Sequence, residues 1–334
     1  MPCEFSKKEG GFLPRIRPST VYTVRFWAAV DMDKTKAQTH KDTKEARIKQ
    51  SLLRASLVTL CVCAFVVHIR AQQTLKVDVN LISVFATIKD EQGNFVTSLS
   101  KDDFRVYDDD HLQDIQIFEK DKVDSSIGIL MDTSGSMVDI LPYMKRGVRD
   151  FTRELPKGND FFVISFGTTV KVLHNSSQPQ KHLEESLAAL RAWGTSTLYD
   201  GLLYAMEKAD KSERARKALI VFTDGNDNRS AVGHGRVVEE AQSSGVMLYF
   251  IAIGSPILVD SHTLEPLSDV SGGRTLYVPK QEAITPVLEQ IRAELAQQYY
   301  LGYYAPRREG FHRLRVEVPG RNVKIRAKTG YIGS

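Results

Sequence analysis

Apolar and polar residues change rhythm twice along this chain. From Leu75 to Lys120 they alternate in short runs, VDVNLISVFATI (Val77 to Ile88), DFRVYDD (Asp103 to Asp109) and IQIFEK (Ile115 to Lys120), with a turn at Asp90 to Asn94. Period-two patterning punctuated by Gly and Asp predicts a small antiparallel sheet. After Val123 short apolar runs alternate with amphipathic stretches, the pattern of an α/β unit with a largely parallel sheet. Ile127 to Met131 is its first strand. Leu141 to Leu155 repeats apolar residues at Leu141, Met144, Val148, Phe151 and Leu155, which is helical spacing.

The rest of the unit follows the same logic. Phe161 to Phe166 and Val170 to Leu173 read as a hairpin, and His182 to Trp193 and Leu198 to Ala209 as helices separated by Gly194 to Thr197. Ala218 to Phe222 is a buried strand, Val237 to Ala241 part of a helix, and Val246 to Ile253 the next strand. A helical turn at Leu264 to Val270, a strand at Thr275 to Val278 and a helix at Ile284 to Ala296 close the unit. From Tyr299 the alternation returns in YYLGYYAP, LRVEVPG (Leu314 to Gly320) and VKIRAKTGY (Val323 to Tyr331). The expected fold class is α/β, a doubly wound, mostly parallel sheet. Beside it stands a small β domain made when the strands of 298–334 pair with those of 72–122 around the α/β unit at 123–297.

Residues 1–71 differ from everything that follows. Arg47, Lys49 and Arg54 precede an apolar core, Ala55 to Val67, and Ala71 is a small residue at a possible cleavage point. That arrangement is a secretory signal, too short for the about twenty apolar residues of a membrane span. Export is expected, periplasmic, secreted or bound to the envelope. An uncleaved segment anchoring the chain at its amino end is the alternative. Of the 45 Lys and Arg, 13 lie in this leader, against 6 of the 41 Asp and Glu, so the remaining chain is net −3. The basic excess belongs to the leader, which removes a nucleic-acid partner from consideration. All three cysteines, Cys3, Cys61 and Cys63, lie there too, so the rest of the chain has neither disulfide nor thiol chemistry.

The candidate chemistry sits at the ends of strands. The first strand runs into DTSGS, which sets Asp132, Ser134 and Ser136 at alternate positions around a Gly. Ala218 to Phe222 runs into TDGNDN, which supplies Asp224, and Thr195 to Thr197 offer hydroxyls before a helix. Loops at the carboxyl ends of strands are where open α/β sheets bind ligands. Hydroxyl and carboxylate donors without His or Cys suit magnesium, manganese or calcium rather than zinc. The Asp108 to Asp110 run, between two strand signals, reads as a solvated turn rather than a metal cluster. His174, His182, His234, His262 and His312 have no ligand spacing and read as surface or internally satisfied residues. Tyr299, Tyr300, Tyr303 and Tyr304 read as strand packing.

The strand-end residues resemble the metal-ion-dependent adhesion site of von Willebrand factor type A domains, the family that includes integrin inserted domains. The resemblance places Asp132, Ser134, Ser136 and Asp224 in the ligand set directly. The family's loop Thr falls on Ser196, with Thr195 as the substitute. It implies that hydroxyls bind the cation directly, that carboxylates act through water, and that an Asp or Glu of a protein or peptide partner completes the shell. Over residues 75–334 the chain also resembles the VWA-related family described from acidobacteria. The expected function is therefore a non-enzymatic, metal-dependent binding or adhesion module. A metal-independent structural or assembly role in the envelope is the alternative. An aspartic-protease-like hydrolase is a weaker one, because Ser134 stands where Gly should follow Thr133 and no second Asp-Thr-Gly exists.

Overall fold

The computed structural model describes residues 79–120, 123–257 and 259–333. The leader and its apolar core lie outside the described residues. Among the described residues no helix is long and apolar enough to cross a membrane.

The centre of the fold is strand β5 (Ser125–Asp132), whose eight residues are all buried. Helices cover the sheet on both faces, so this strand reads as a continuous apolar run. To one side it pairs in parallel with β6 (Asp160–Phe166), which turns back antiparallel into β7 (Lys171–His174). To the other side it pairs in parallel with β8 (Arg216–Thr223), followed by β9 (Val246–Ile253) and β10 (Arg274–Val278). The resulting order is β10-β9-β8-β5-β6-β7. Its connections leave β5 in opposite directions, so a crevice opens at the carboxyl ends of β5 and β8.

Alternate side chains divide the core into two layers. Ile127, Ile129 and Met131 of β5, with Ala218, Ile220 and Phe222 of β8, face α1 (Leu141–Arg153), α2 (Gln180–Ala189) and α6 (Ile284–Ala296). Leu130, with Leu219, Val221, Leu248 and Phe250, faces α3 (Leu198–Asp210), α4 (His234–Ser243) and α5 (Ser261–Ser271). Gly128 lies on this second face, and a Cβ there would come within 2.3 Å of Leu219 and 2.4 Å of Phe162.

The flanking strands form two antiparallel sheets. Strand β1 (Val79–Lys89) pairs with β11 (Tyr299–Pro306), and their sheet is completed by β4 (Ile117–Glu119) and β13 (Lys324–Arg326). In the second, β12 (Gly310–Glu317) lies between β2 (Arg105–Asp108) and β14 (Gly330–Gly333), with β3 (His111–Gln113) at the edge. The two share an apolar core that includes Val84, Phe104, Val106, Tyr299 and Leu314. Buried Glu294 on α6 joins this part to the α/β unit, pairing with Arg326 of β13 at 2.6 Å and Arg274 at 3.4 Å.

Three local expectations need correcting. The helix expected to reach Trp193 ends at Ala189, because Leu190 is extended and Trp193 donates its N–H to Thr133 C=O at 2.9 Å. That contact pulls the chain across the end of β5. The stretch Val323 to Tyr331 is two strands in different sheets, since Lys328 leaves the first sheet to donate to Ser244 C=O at 2.7 Å. The Asp108 to Asp110 run is a tight two-residue turn with Asp109 and Asp110 at φ 48° and 66°, but Asp108 itself is 0% exposed rather than solvated. Tyr303 and Tyr331 both donate to it.

Two stability measurements follow from these packings. Gly128→Ala destabilises the chain by about 1 to 3 kcal/mol, because its methyl overpacks a full core; urea denaturation reads this directly. Burial pushes the Lys328 ammonium down to about 8 from 10.5, with the Asp210 charge partly offsetting it. Between those two values the unfolded chain holds more of this proton than the folded chain, so stability due to Lys328 rises with pH. Compared with Lys328→Met, the native chain gains on the order of 2 kcal/mol as the pH goes from 7.5 to 10. Paired urea titrations at the two pH values check the sign.

Candidate functional site

Four chain segments meet at the crevice beside the end of β5. Asp132 is the last residue of that strand and is 0% exposed. Its Oδ1 accepts the Ser134 N–H at 2.8 Å, and its Oδ2 accepts the hydroxyls of Ser196 at 3.3 Å and Thr223 at 3.2 Å. The first hydrogen bond turns DTSGS back on itself. Thr133 is pinned to β6 as its N–H and hydroxyl both donate to Phe166 C=O, at 2.7 and 2.8 Å. Gly135 donates to Gly194 C=O at 3.0 Å, which clamps the loop before α3 against the loop after β5.

Two hydroxyls stand above the buried carboxylate. The Ser134 and Ser136 oxygens are 3.1 Å apart, and Ser136 donates to Asp224 Oδ2 at 2.7 Å. Asp224 follows the end of β8, and Gly225 after it takes φ 87°, a left-handed turn that Gly adopts without strain. Thr223 braces that turn, its hydroxyl accepting the Gly225 N–H at 3.0 Å. The loop is held further by Asn228, which accepts the Ser196 N–H at 3.0 Å, and by Asp200 of α3, which accepts from Ala231 and Val232.

All five residues expected from the sequence thus lie in one polar crevice. Of the two candidates in the middle loop, Ser196 aims its hydroxyl at Asp132. The Thr195 hydroxyl is buried without a hydrogen-bond partner. Three supporting residues escaped the sequence reading. Thr223 was visible as the residue before Asp224 at a strand end. Asn228 and Asp200 had no such signal, because each acts on a loop far away in sequence.

The electrostatics favour a cation. Burial pushes the Asp132 carboxyl up to about 6; the hydrogen bonds from Ser134 oppose this, and the Asp224 charge adds to it. Every partner of Asp132 named here is a hydroxyl, an amide or a second carboxylate, so nothing among them supplies the positive charge that a buried carboxylate calls for. Oxygen donors alone, three of them neutral hydroxyls, fit a hard divalent ion.

No curated protein matches the sequence. Solved structures similar to it include a von Willebrand factor type A protein from Catenulispora acidiphila, 12% identical with a TM-score of 0.46, covering 78% of this chain and 75% of that one. Proximal thread matrix protein 1 from the mussel byssus, solved with a zinc-occupied MIDAS motif, is 18% identical with a TM-score of 0.44. That match covers 53% of this chain and about half, 49%, of the mussel chain. The PilB minor pilin from Streptococcus sanguinis is 14% identical with a TM-score of 0.44, covering 53% and 62% of the two chains. The sequence profile of the von Willebrand factor type A domain matches residues 126–292, the span that runs from β5 to α6 and carries the crevice, and the chain therefore belongs to the von Willebrand factor type A domain family.

Proposed function

We propose that the crevice holds a divalent cation, magnesium with manganese or calcium as substitutes, and that the protein is an exported, non-enzymatic module that binds a partner through it. The observation that carries this reading is the convergence of Asp132, Ser134, Ser136, Ser196 and Asp224 from separate loops on one oxygen-lined point at the switch of the sheet. Ser134 and Ser136 would hold the cation directly, with Asp132, Asp224 and Ser196 around them. When bound, the cation offers a Lewis-acidic position to an Asp or Glu side chain of a protein or peptide. Neutral hydroxyls leave the ion underneutralised, so the partner's carboxylate completes its charge balance. The exposed Val138 and Trp193, on loops that meet at this site, supply apolar contact around that carboxylate.

Binding energy appears as stability, about 2.7 kcal/mol at a hundredfold excess over the dissociation constant. Millimolar magnesium or manganese therefore raises the melting temperature of the native chain by several degrees. Asp132→Ala and Ser134→Ala each remove that shift. In a pull-down from envelope extract, the same variants lose the proteins that the native chain retains with magnesium and releases with chelator. Native and Asp132→Ala chains that respond identically to both ions would refute the metal site and leave the structural role.

Export has its own test. Amino-terminal sequencing of the protein secreted or envelope-bound in its host should find the chain beginning close to Gln72. Intact leader on membrane-bound protein would identify the anchored form instead.

A further inference from the structure

A second group of metal-capable side chains lies in the β sheets, on elements that take no part in the crevice. The β2–β3 turn and strand β12 bring together Asp108, Asp109 and His312, with one potential ligand atom from each lying within 4.8 Å of the others. More than 200 positions separate the turn from the histidine, so no spacing along the chain marks the group.

Each side chain is anchored by one atom and presents another. Asp108 Oδ2 accepts from the Tyr303 and Tyr331 hydroxyls, both at 2.9 Å. Its Oδ1 is buried with no hydrogen-bond partner and lies 3.9 Å from His312 Nδ1. Asp109 Oδ1 accepts the Arg313 N–H at 2.9 Å, which leaves Oδ2 turned to His312 Nδ1 at 2.7 Å. His312 Nε2 is 3.0 Å from Arg308 C=O, and a carbonyl only accepts, so Nε2 carries the hydrogen. In the neutral ring, Nδ1 therefore points a lone pair at a carboxylate.

That contact calls for either a proton on Nδ1 or a cation held by both atoms. An unused carboxylate oxygen, 0% exposed on Asp108, makes the same demand from a third direction. The Arg308 guanidinium does not fill this place. It lies 3.5 Å from Asp108 Oδ2, the oxygen already satisfied, and 3.8 Å from Asp109 Oδ2, on a side chain that is 41% exposed. Histidines that bind metals characteristically give their other ring N–H to a carbonyl or carboxylate, which fixes the tautomer and the ring plane.

We propose that Asp108 Oδ1, Asp109 Oδ2 and His312 Nδ1 form a second metal site, of zinc type, that ties the β2–β3 turn to strand β12. One imidazole and two carboxylates are donors that suit zinc-like ions better than magnesium, and Asp109, on the half-exposed side, leaves room for water as a fourth ligand. Such a site cross-links the segments before and after the α/β unit, closing a loop of the chain that holds the whole of that unit.

The test uses the full chain carrying Asp132→Ala, which silences the crevice, stripped with chelator and titrated with zinc chloride at neutral pH. Calorimetry should find one zinc equivalent that disappears in both His312→Gln and Asp109→Asn. The melting temperature should rise with zinc by several degrees in the parent and in neither variant. Magnesium should do neither. Asp109→Asn keeps shape and the Arg313 contact, so it decides the matter if His312→Gln does not fold. Zinc uptake and melting shift unchanged by both substitutions, or no zinc uptake at all, would overturn the proposal and leave a proton on Nδ1 as the occupant.

Discussion

A carboxylate buried at the end of a central strand is the constraint around which this molecule is arranged. Asp132 is inaccessible to solvent because β5 is flanked by β6 and β8 and covered by helices on both faces. An isolated ionised carboxylate in such a place is strongly unfavourable. Hydrogen bonds from Ser134, Ser196 and Thr223 recover part of that cost, yet the carboxyl remains shifted to about 6 because burial outweighs them. Asp224, brought close by the neighbouring strand, makes the deficit of positive charge larger. The sheet order that creates a crevice at the β5 and β8 ends is thus also what makes that crevice cation-seeking.

The rest of the chain keeps that crevice in register. Sheet pairing fixes Asp132 beside Phe166, and Thr133 then locks to the Phe166 carbonyl, so the first loop cannot slide. The middle loop is tied to it by backbone hydrogen bonds at Gly135 and Trp193, and the last loop by Asn228 and Asp200. On the other layer, Glu294 of α6 is buried between Arg274, Arg326 and the Tyr249 hydroxyl, which donates to it at 3.0 Å. A buried ion pair contributes little net stability, whereas removing one partner is severe. Its value here is positional, since it fixes the last helix of the α/β unit to a strand of the β part.

Much of this was legible because the relevant signals are local. A strand of eight buried residues and helices with apolar repeats declare themselves by periodicity, and Asp132, Ser134, Ser136 and Asp224 lie at the end of a strand or within four residues after one. Ser196 was reachable only through the family resemblance, with Thr195 held as the substitute. The choice rests on side-chain direction, which depends on how the Gly194 carbonyl meets Gly135. The sheets failed to announce their pairing for a similar reason. Val323 to Tyr331 alternates like one strand, and only the exit of Lys328 toward Ser244 splits it between two sheets. Asp108 looked like a solvated turn residue since its partners, Tyr303 and Tyr331, arrive from the far end of the chain.

The two acidic clusters differ in a way that separates their roles. In the crevice the donors are oxygens, three of them hydroxyls without charge, and Ser136 is exposed. Such a shell leaves a hard cation with charge to spare and a face open to solvent, which is what exchange with a partner's carboxylate requires. In the β sheets the donors are two carboxylates and one imidazole whose orientation is fixed by a backbone carbonyl, and His312 is only 6% exposed. There the charge of an ion would be spent within the protein, and the anchoring tyrosines belong to β11 and β14, the strands that hold the sheets together. Openness and residual charge suit the recognition role proposed for the first; enclosure and internal neutralisation suit the staple proposed for the second. Side-chain chemistry, rather than the number of carboxylates, draws that distinction.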